Sequence, residues 1–351
     1  MSSPEDHIEK LGAKLPRGKQ GQVNKEGPAR GRLKQENRDL ARQLKRANKR
    51  LARQEEENAT LRARLAKRET GNEAEGVKPE NIVWVLGSGK TGSSWLSAMM
   101  RGLPDHARWN EPNVGRLFGQ LYYQRSQYGK EEPDNFILGS GFRDTWLSSI
   151  RSFILEGATA RYPEVAEKGG YLVIKEPHGS IGAPLLMEAL PESRMIFLVR
   201  DPRDVVASAL HTTFVRNKGD RVRTERLEKA EERPEELVTN RAGTYLRDIN
   251  HTKQAYEAHE GYKVLVRYED LKADTLEEMK RIYSALEIPV DEGELARAVK
   301  KNAIENIPED KKGPGTVRRR GTYGGWKEDL TPEQVEIVES ITAPLLEEFY
   351  A

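Results

Sequence analysis

Ile82-Val-Trp-Val-Leu86 runs without a polar residue into Gly87-Ser-Gly-Lys-Thr-Gly-Ser-Ser94, and Trp95-Leu-Ser-Ala-Met-Met100 follows. A short, continuous apolar run of this kind reads as a strand covered on both faces. The order is strand, small-residue loop, helix. Such a loop lets backbone N–H groups wrap an anion, with the helix N-terminus aimed at it. Lys90 adds a full positive charge, and Ser93 and Ser94 add hydroxyl donors. The plainer alternative is a glycine-rich turn with no ligand.

Working outward, three more runs resemble the first: Tyr171–Ile174, Met195–Val199 and Lys263–Val266. Helical segments separate them. Strands alternating with helices predict an α/β fold, a three-layer α/β/α arrangement around a central parallel sheet of the P-loop NTPase-like kind. The globular domain is expected to span residues 81–351. Near its end, Thr331-Pro-Glu-Gln predicts a helix start with a Thr cap and Pro at the first position. Val335, Val338, Ile341 and Leu345 would dock that helix.

The N-terminal part reads differently. Residues 1–30 are poor in large apolar groups, which predicts a disordered basic tail. From Leu33 a seven-residue repeat appears: Leu33, Leu40, Ala47, Gln54 and Leu61, interleaved with Asn37, Leu44, Leu51, Asn58 and Leu65. These fit the d and a positions of a coiled coil over residues 31–69, about 54 Å long at 1.5 Å per residue. Asn at two a positions favours an in-register parallel homodimer. A solvated charged helix is the plain alternative. Thr70 to Pro79 breaks the repeat with two glycines and a proline, so residues 70–80 read as a linker.

The net charge of +2 hides an asymmetry: residues 30–68 carry 14 Lys and Arg against 5 Asp and Glu, +9, which leaves −7 for the rest. That basic face could meet nucleic acid, but coiled-coil flanks are ordinarily charged, and nucleic acid is not the expected partner. The chain has no cysteine, which excludes disulfides, thiolate metal sites and a cysteine nucleophile. No leader and no membrane span is read, and a cytoplasmic location is expected.

Which anion would the first loop hold? Gly89-Lys90-Thr91 matches the end of G-x-x-x-x-G-K-[ST], but the first glycine of that motif falls on Trp84. Another register fits better. Lys90-Thr-Gly-Ser-Ser-Trp-Leu96 resembles the K-S-G-T-T-W-L loop with which sulfotransferases bind the 5′-phosphosulfate of 3′-phosphoadenosine-5′-phosphosulfate (PAPS). The resemblance implies Lys90, Thr91, Gly92, Ser93 and Ser94 at the phosphosulfate and Trp95 at the adenine.

PAPS carries a 3′-phosphate and so requires a second anion site. Arg200 ends the run Met195–Val199, and Ser208 lies eight residues on, within a helix that begins near Pro202. The pair resembles the family's 3′-phosphate motif. A salt-bridge cluster capping that helix is the plain alternative for residues 200–204. Arg318-Arg-Arg-Gly-Thr-Tyr-Gly-Gly-Trp-Lys327 resembles the family's R-K-G-x-x-G-D-W-K segment, with Arg320 for Lys and Gly325 for Asp. This implies Arg319, Arg320 and Gly321 at the 3′-phosphate. Val264-Leu-Val-Arg-Tyr-Glu-Asp-Leu271 resembles the family's strand ending in Y-E-D-L, which implies Tyr268 at the adenine. The four motifs keep the family order over residues 82–327.

Sulfuryl transfer to an acceptor oxygen needs a base for the acceptor proton and positive charge at the leaving oxygen. Tyr171-Leu-Val-Ile-Lys-Glu-Pro-His178 ends a strand in polar groups at the edge where open α/β sheets bind ligands. Small-molecule sulfotransferases carry Lys-x-His there; here the spacing is Lys-x-x-His. Glu111 in Trp109-Asn-Glu-Pro112 resembles a segment of carbohydrate sulfotransferases in which Glu serves as base. His178 is the preferred base and Glu111 the second candidate. Lys175 is expected as a further catalytic cation, and Glu176 is a weaker candidate. No metal-ligand spacing is found, so no metal is expected. The charged stretch 211–240 reads as a lid or a solvated helix.

The expectation is a PAPS-dependent sulfotransferase acting on a small-molecule or carbohydrate acceptor. The alternatives are an ATP-dependent small-molecule kinase and a coiled-coil scaffold with a degenerate nucleotide-binding domain.

Overall fold

The computed structural model describes residues 43–49, 51–52, 55, 76–126, 136–216, 232–306 and 321–351. The chain divides into two units, Met1–Asn72 and Glu73–Ala351. In the first, residues 43–49 are helical, and Leu44 and Leu51 are exposed. The expected tail, most of the expected coil and residues 70–75 of the expected linker lie outside the described residues.

Among its described residues the second unit holds five strands: β1 (Ile82–Gly87), β2 (His106–Asn110), β3 (Tyr171–Lys175), β4 (Arg194–Val199) and β5 (Lys263–Arg267). All pair in parallel, in the order β2-β3-β1-β4-β5. Four were expected; β2 was not. It is an edge strand that stays partly exposed along its length, so its sequence His-Ala-Arg-Trp-Asn carries no apolar run to find. Its register against β3 aligns Asn110 with Lys175.

The helices up to α7 are α1 (Ser93–Arg101), α2 (Val114–Ser126), α3 (Arg143–Arg161), α4 (Pro163–Lys168), α5 (Ala183–Ala189), α6 (Pro202–Arg216) and α7 (Pro234–Ala258). After β5 come α8 (Tyr268–Ala273), α9 (Thr275–Ala285), α10 (Glu292–Asn302), α11 (Trp326–Asp329) and α12 (Pro332–Tyr350). Side chains alternate across β1. Ile82, Trp84 and Leu86 join the core formed with Ile150 of α3, Leu186 of α5 and Ile249 of α7. Val83 and Val85 join the core formed with Met99 of α1, Met279 of α9 and Leu295 of α10. The sheet is therefore the middle layer of three, as the near-continuous apolar strands predicted.

Thr331 caps α12 as expected, and Gln334 completes a capping box: each side chain accepts the other's backbone N–H, at 3.3 and 3.2 Å. Val338 and Leu345 are buried beneath that helix. The charged stretch 211–240 is described in part: residues 211–216 close α6, and residues 234–240 open α7, where Val238 is buried while Glu235, Glu236, Thr239 and Asn240 face solvent. Residues 217–231 lie outside the described residues. Among the described residues no helix is long and apolar enough to cross a membrane.

Candidate active site

The loop after β1 is shaped by glycine where nothing larger fits. Gly87 has φ +144°, and a Cβ there would lie 2.2 Å from the carbonyl oxygen of Leu198 on β4. Gly92 has φ +93°, and a Cβ would meet the Tyr268 ring at 2.5 Å. Between them Lys90 holds a left-handed φ of 75°, uncommon for a residue with a side chain. Its carbonyl accepts from Nη1 of Arg200 at 3.1 Å. α1 then starts at Ser93 with Gly92 as its N-cap, so the N–H groups of Ser93 and Ser94 precede the first intrahelical bonds, which run from Trp95 and Leu96 to the Gly92 carbonyl.

A cavity of about 440 Å³ opens beside this loop. Every strand of the parallel sheet delivers a group to it at its C-terminal end, as open α/β sheets do. Glu111 follows β2, Lys175 ends β3, Lys90 stands in the loop after β1, Arg200 follows β4 and Tyr268 follows β5. Gly92, Ser93, Ser94, Trp95, His178, Ser208 and Gly321 also line the cavity. Thr91 departs from expectation. Its side chain is fully buried and its hydroxyl donates to the carbonyl of Ser88 at 2.8 Å, closing the loop's own turn. Arg319 and Arg320 lie outside the described residues.

At one end the Lys175 ammonium, nearly enclosed, pairs with the carboxylate of Glu111 and donates to Oγ of Ser94 at 3.2 Å. Burial alone would raise the Glu111 carboxyl, but the bond from Lys175 and the charges of Lys175, His178 and Lys90 outweigh it and hold Glu111 below its usual range. Glu111 has φ 53° and Asn113 φ 62°, two left-handed residues around Pro112. The N–H of Asn113 donates to Oε2 of Glu176 at 2.9 Å. Glu176 itself is 1% exposed; burial pushes its carboxyl up to about 7, and its Oε1 has no hydrogen-bond partner among the described residues. His178 is exposed, and a Cβ on Gly89 would stand 2.7 Å from its Cε1. The imidazole therefore lies against the loop after β1.

At the other end Arg200 ties several stretches together. Besides Lys90, it donates from Nη2 to the carbonyl of Thr322 at 3.1 Å, and its guanidinium lies 4.3 Å from the Tyr268 ring centroid. Its Nε is buried, with no hydrogen-bond partner among the described residues. Trp95 meets Tyr268 edge to face at 6.1 Å and donates from Nε1 to the carbonyl of Asn302 at 3.0 Å. The salt-bridge reading of residues 200–204 holds for part of that segment. Asp201 accepts from the N–H of Arg203 at 2.9 Å and pairs with its guanidinium, and Arg200 pairs with Asp204 at 3.7 Å; what that reading leaves out is that Arg200 and Asp204 also line the cavity.

Sequence reasoning missed Asp204, Lys272, Asn302 and Asn110, all in the cavity wall. Lys272, whose ammonium lies 5.7 Å from the Trp95 ring centroid, sits one turn after Tyr268, and a helical reading of Tyr268-Glu-Asp-Leu-Lys could have found it. Asn302 joins from α10 and carries no local signal.

The family model for the sulfotransferase domain matches residues 80–350. Mouse sulfotransferase 1B1 is 25% identical over 265 residues, covering 63% of this chain and 85% of the mouse protein. Among solved structures, mouse sulfotransferase SULT7A1 complexed with PAP is similar at TM-score 0.47 and 15% identity, covering 78% of this chain and 89% of that one. Sulfotransferase STF9 from Mycobacterium avium is similar at TM-score 0.46 and 17% identity, covering 78% of each chain. The family match takes in every described element from β1 to α12, and with them the whole cavity wall: the chain belongs to the sulfotransferase domain family.

Proposed function

We propose that this sulfotransferase takes the sulfuryl group of PAPS and places it on a hydroxyl or amine of a small-molecule or carbohydrate acceptor by in-line displacement. The observation that carries this reading is the order of groups along the cavity, which follows the order of the strands. Glu111 and Lys175 stand at one side, Lys90 in the middle, Arg200 and Tyr268 at the other. A donor with two anionic groups on one nucleoside fits that sequence of charges. The residues present suit it: Arg200 keeps a buried Nε without a partner, and Ser93 and Ser94 stand at the start of α1.

When bound, PAPS supplies an activated sulfuryl group. The rest follows from the chain. Lys90 and the first turn of α1 stabilise the charge that grows on the leaving oxygen. Lys175 reaches from β3 towards the same place, since it already donates to Ser94. Arg200 and Ser208, with Arg319, Arg320 and Gly321, hold the 3′-phosphate, and Trp95 and Tyr268 flank the adenine. Glu111 takes the acceptor proton: its carboxylate is kept ionised and stands beside the ammonium that faces the transferring group. His178, exposed at the same end, is the second candidate for this step.

The N-terminal repeat supports a homodimer through a parallel coiled coil. The absence of cysteine suits a reducing, cytoplasmic setting.

The test is calorimetric binding of adenosine 3′,5′-bisphosphate and of ATP with magnesium, to wild type and to Arg200→Ala. Tight bisphosphate binding, weak ATP binding and loss on Arg200→Ala are expected. ATP–magnesium binding without bisphosphate binding would overturn the reading in favour of a kinase; binding of neither would favour a scaffold.

A further inference from the structure

Asp204 lies in the first turn of α6, four residues after Arg200, and is 4% exposed. A carboxylate so enclosed must have both oxygens answered by donors or charge. Here Oδ2 accepts the N–H of Gly324 at 2.7 Å, and Oδ1 accepts the N–H of Trp326 at 3.1 Å. Nη2 of Arg200 lies 3.7 Å from Oδ2. The same guanidinium donates to the carbonyls of Lys90 and Thr322. Gly324 has a left-handed φ of 78°, so the segment it belongs to turns sharply at the point where Asp204 holds it. One side chain thus joins α6, the segment Gly321–Trp326 and, through Arg200, the loop that carries Lys90.

Asp204 borders the cavity but is a poor contact for an anionic ligand, since its charge has the wrong sign. We propose that Asp204 is a positioning residue of the donor site. It pins the segment Gly321–Trp326 against α6 and fixes the guanidinium of Arg200, so that the two anion-binding stretches keep one relative geometry. The inference rests on reading the Arg200 end of the cavity as the subsite for a 3′-phosphate.

A general weakening of the fold and a misaimed Arg200 differ in one readout, the preference for a 3′-phosphate. Adenosine 3′,5′-bisphosphate and adenosine 5′-monophosphate are titrated into the full chain as wild type, Asp204→Ala, Asp204→Asn, Arg200→Ala and the Asp204→Ala/Arg200→Ala pair. The ratio of the two affinities is expected to fall at least tenfold in Asp204→Ala, and the pair to be no worse than Arg200→Ala alone. Asp204→Asn keeps one acceptor and the shape of the side chain, so it should fold even if the alanine variant does not, and its ratio should fall between wild type and Arg200→Ala. If both ligands weaken by the same factor, or neither weakens, Asp204 does not position Arg200 and the inference is overturned. If wild type itself shows no preference for the bisphosphate, the donor-site reading fails, a result separable from the first because it appears before any variant is made.

Discussion

The ammonium of Lys175 is shared between the carboxylate of Glu111 and the hydroxyl of Ser94. These partners stand at the end of β2 and in the first turn of α1, so one charge links the edge strand to the anion loop. Lys175 is 4% exposed and Glu111 32%, which leaves the carboxylate as the partner an acceptor can reach.

Glu111→Gln should lower kcat by roughly 10²–10⁴-fold with little change in donor affinity, the range for losing a general base. A base works when ionised, so the rate is present above its pKa and lost as pH falls through it. Glu111 is held below its ordinary 4.5, so the acid limb of kcat/KM should lie below that pH. A limb near the imidazole range, roughly 6.5, would assign the proton to a histidine instead.

Gly89→Ala separates the two candidates without substituting either. Gly89 does not use the left-handed region, so alanine strains no backbone there; its Cβ would instead push the His178 ring from 2.7 Å. With Glu111 as base, kcat should change less than about threefold. A loss of tenfold or more, read by initial rates at saturating donor, would point to His178.

Glu176→Gln should change how stability depends on pH. Burial pushes Glu176 up to about 7 from 4.5, with the Asn113 N–H opposing and Glu111 adding to the rise. The folded state therefore prefers the neutral acid. Stability from this group is whole below pH 4.5, falls as pH rises, and is lost above 7. The difference is on the order of 3 kcal/mol. Glutamine keeps the acceptor for Asn113 and never ionises. Melting temperatures of wild type and variant should converge at pH 4.5 and separate at pH 8, the variant being higher; a pH-independent gap would refute the assignment.

Gly119→Ala should destabilise the packing of α2 on the turn Pro177–Gly182. A Cβ at Gly119 would lie 2.4 Å from Cα and 2.6 Å from N of Gly182, and backbone cannot rotate away as a side chain can. α2 would have to lift from the turn Pro177–Gly182, at a cost of about 1–3 kcal/mol. Thermal melts should show the loss, and an unchanged melting temperature would mean that α2 rides clear of that turn.

Leu44→Lys with Leu51→Lys should turn a dimer into a monomer, because each puts an ammonium into the seam of the repeat. Sedimentation velocity reads the change. Activity per chain should persist, since the cavity is lined entirely by residues of the second unit. A monomeric wild type would remove the coil from the account.

Much of the site was legible because its signals are local. Gly87 to Trp95 spells strand end, loop and helix start in consecutive residues, and Arg200 with Ser208 needs only a strand followed by a helix. Thr331-Pro-Glu-Gln likewise carries its own cap. β2 was hidden because an edge strand need not be apolar: Arg108 and His106 occupy places that a central strand would give to Val or Ile. The contacts of Asp204 were hidden because Asp201 and Asp204 look alike in sequence. Only their directions in the fold separate the cap at Asp201 from the anchor at Asp204.

What the amino-acid order determined by itself is therefore the set of parts: a parallel α/β sheet, a glycine-containing strand-to-helix loop at Lys90, a second cation at Arg200, and a family resemblance that the sulfotransferase domain match bears out. Spacing and hydrophobic pattern act between neighbours in the chain, and each of these parts is a stretch of neighbours. What only the tertiary structure decided is their arrangement. Glu111 meets Lys175 across 64 residues, and Asp204 meets Gly324 across 120. Parallel strands are joined by crossovers that pass over the sheet, so strand order is settled by packing of the layers and not by adjacency in sequence. That order, β2-β3-β1-β4-β5, is what sets Glu111 and Lys175 at one end of the cavity and Arg200 and Tyr268 at the other.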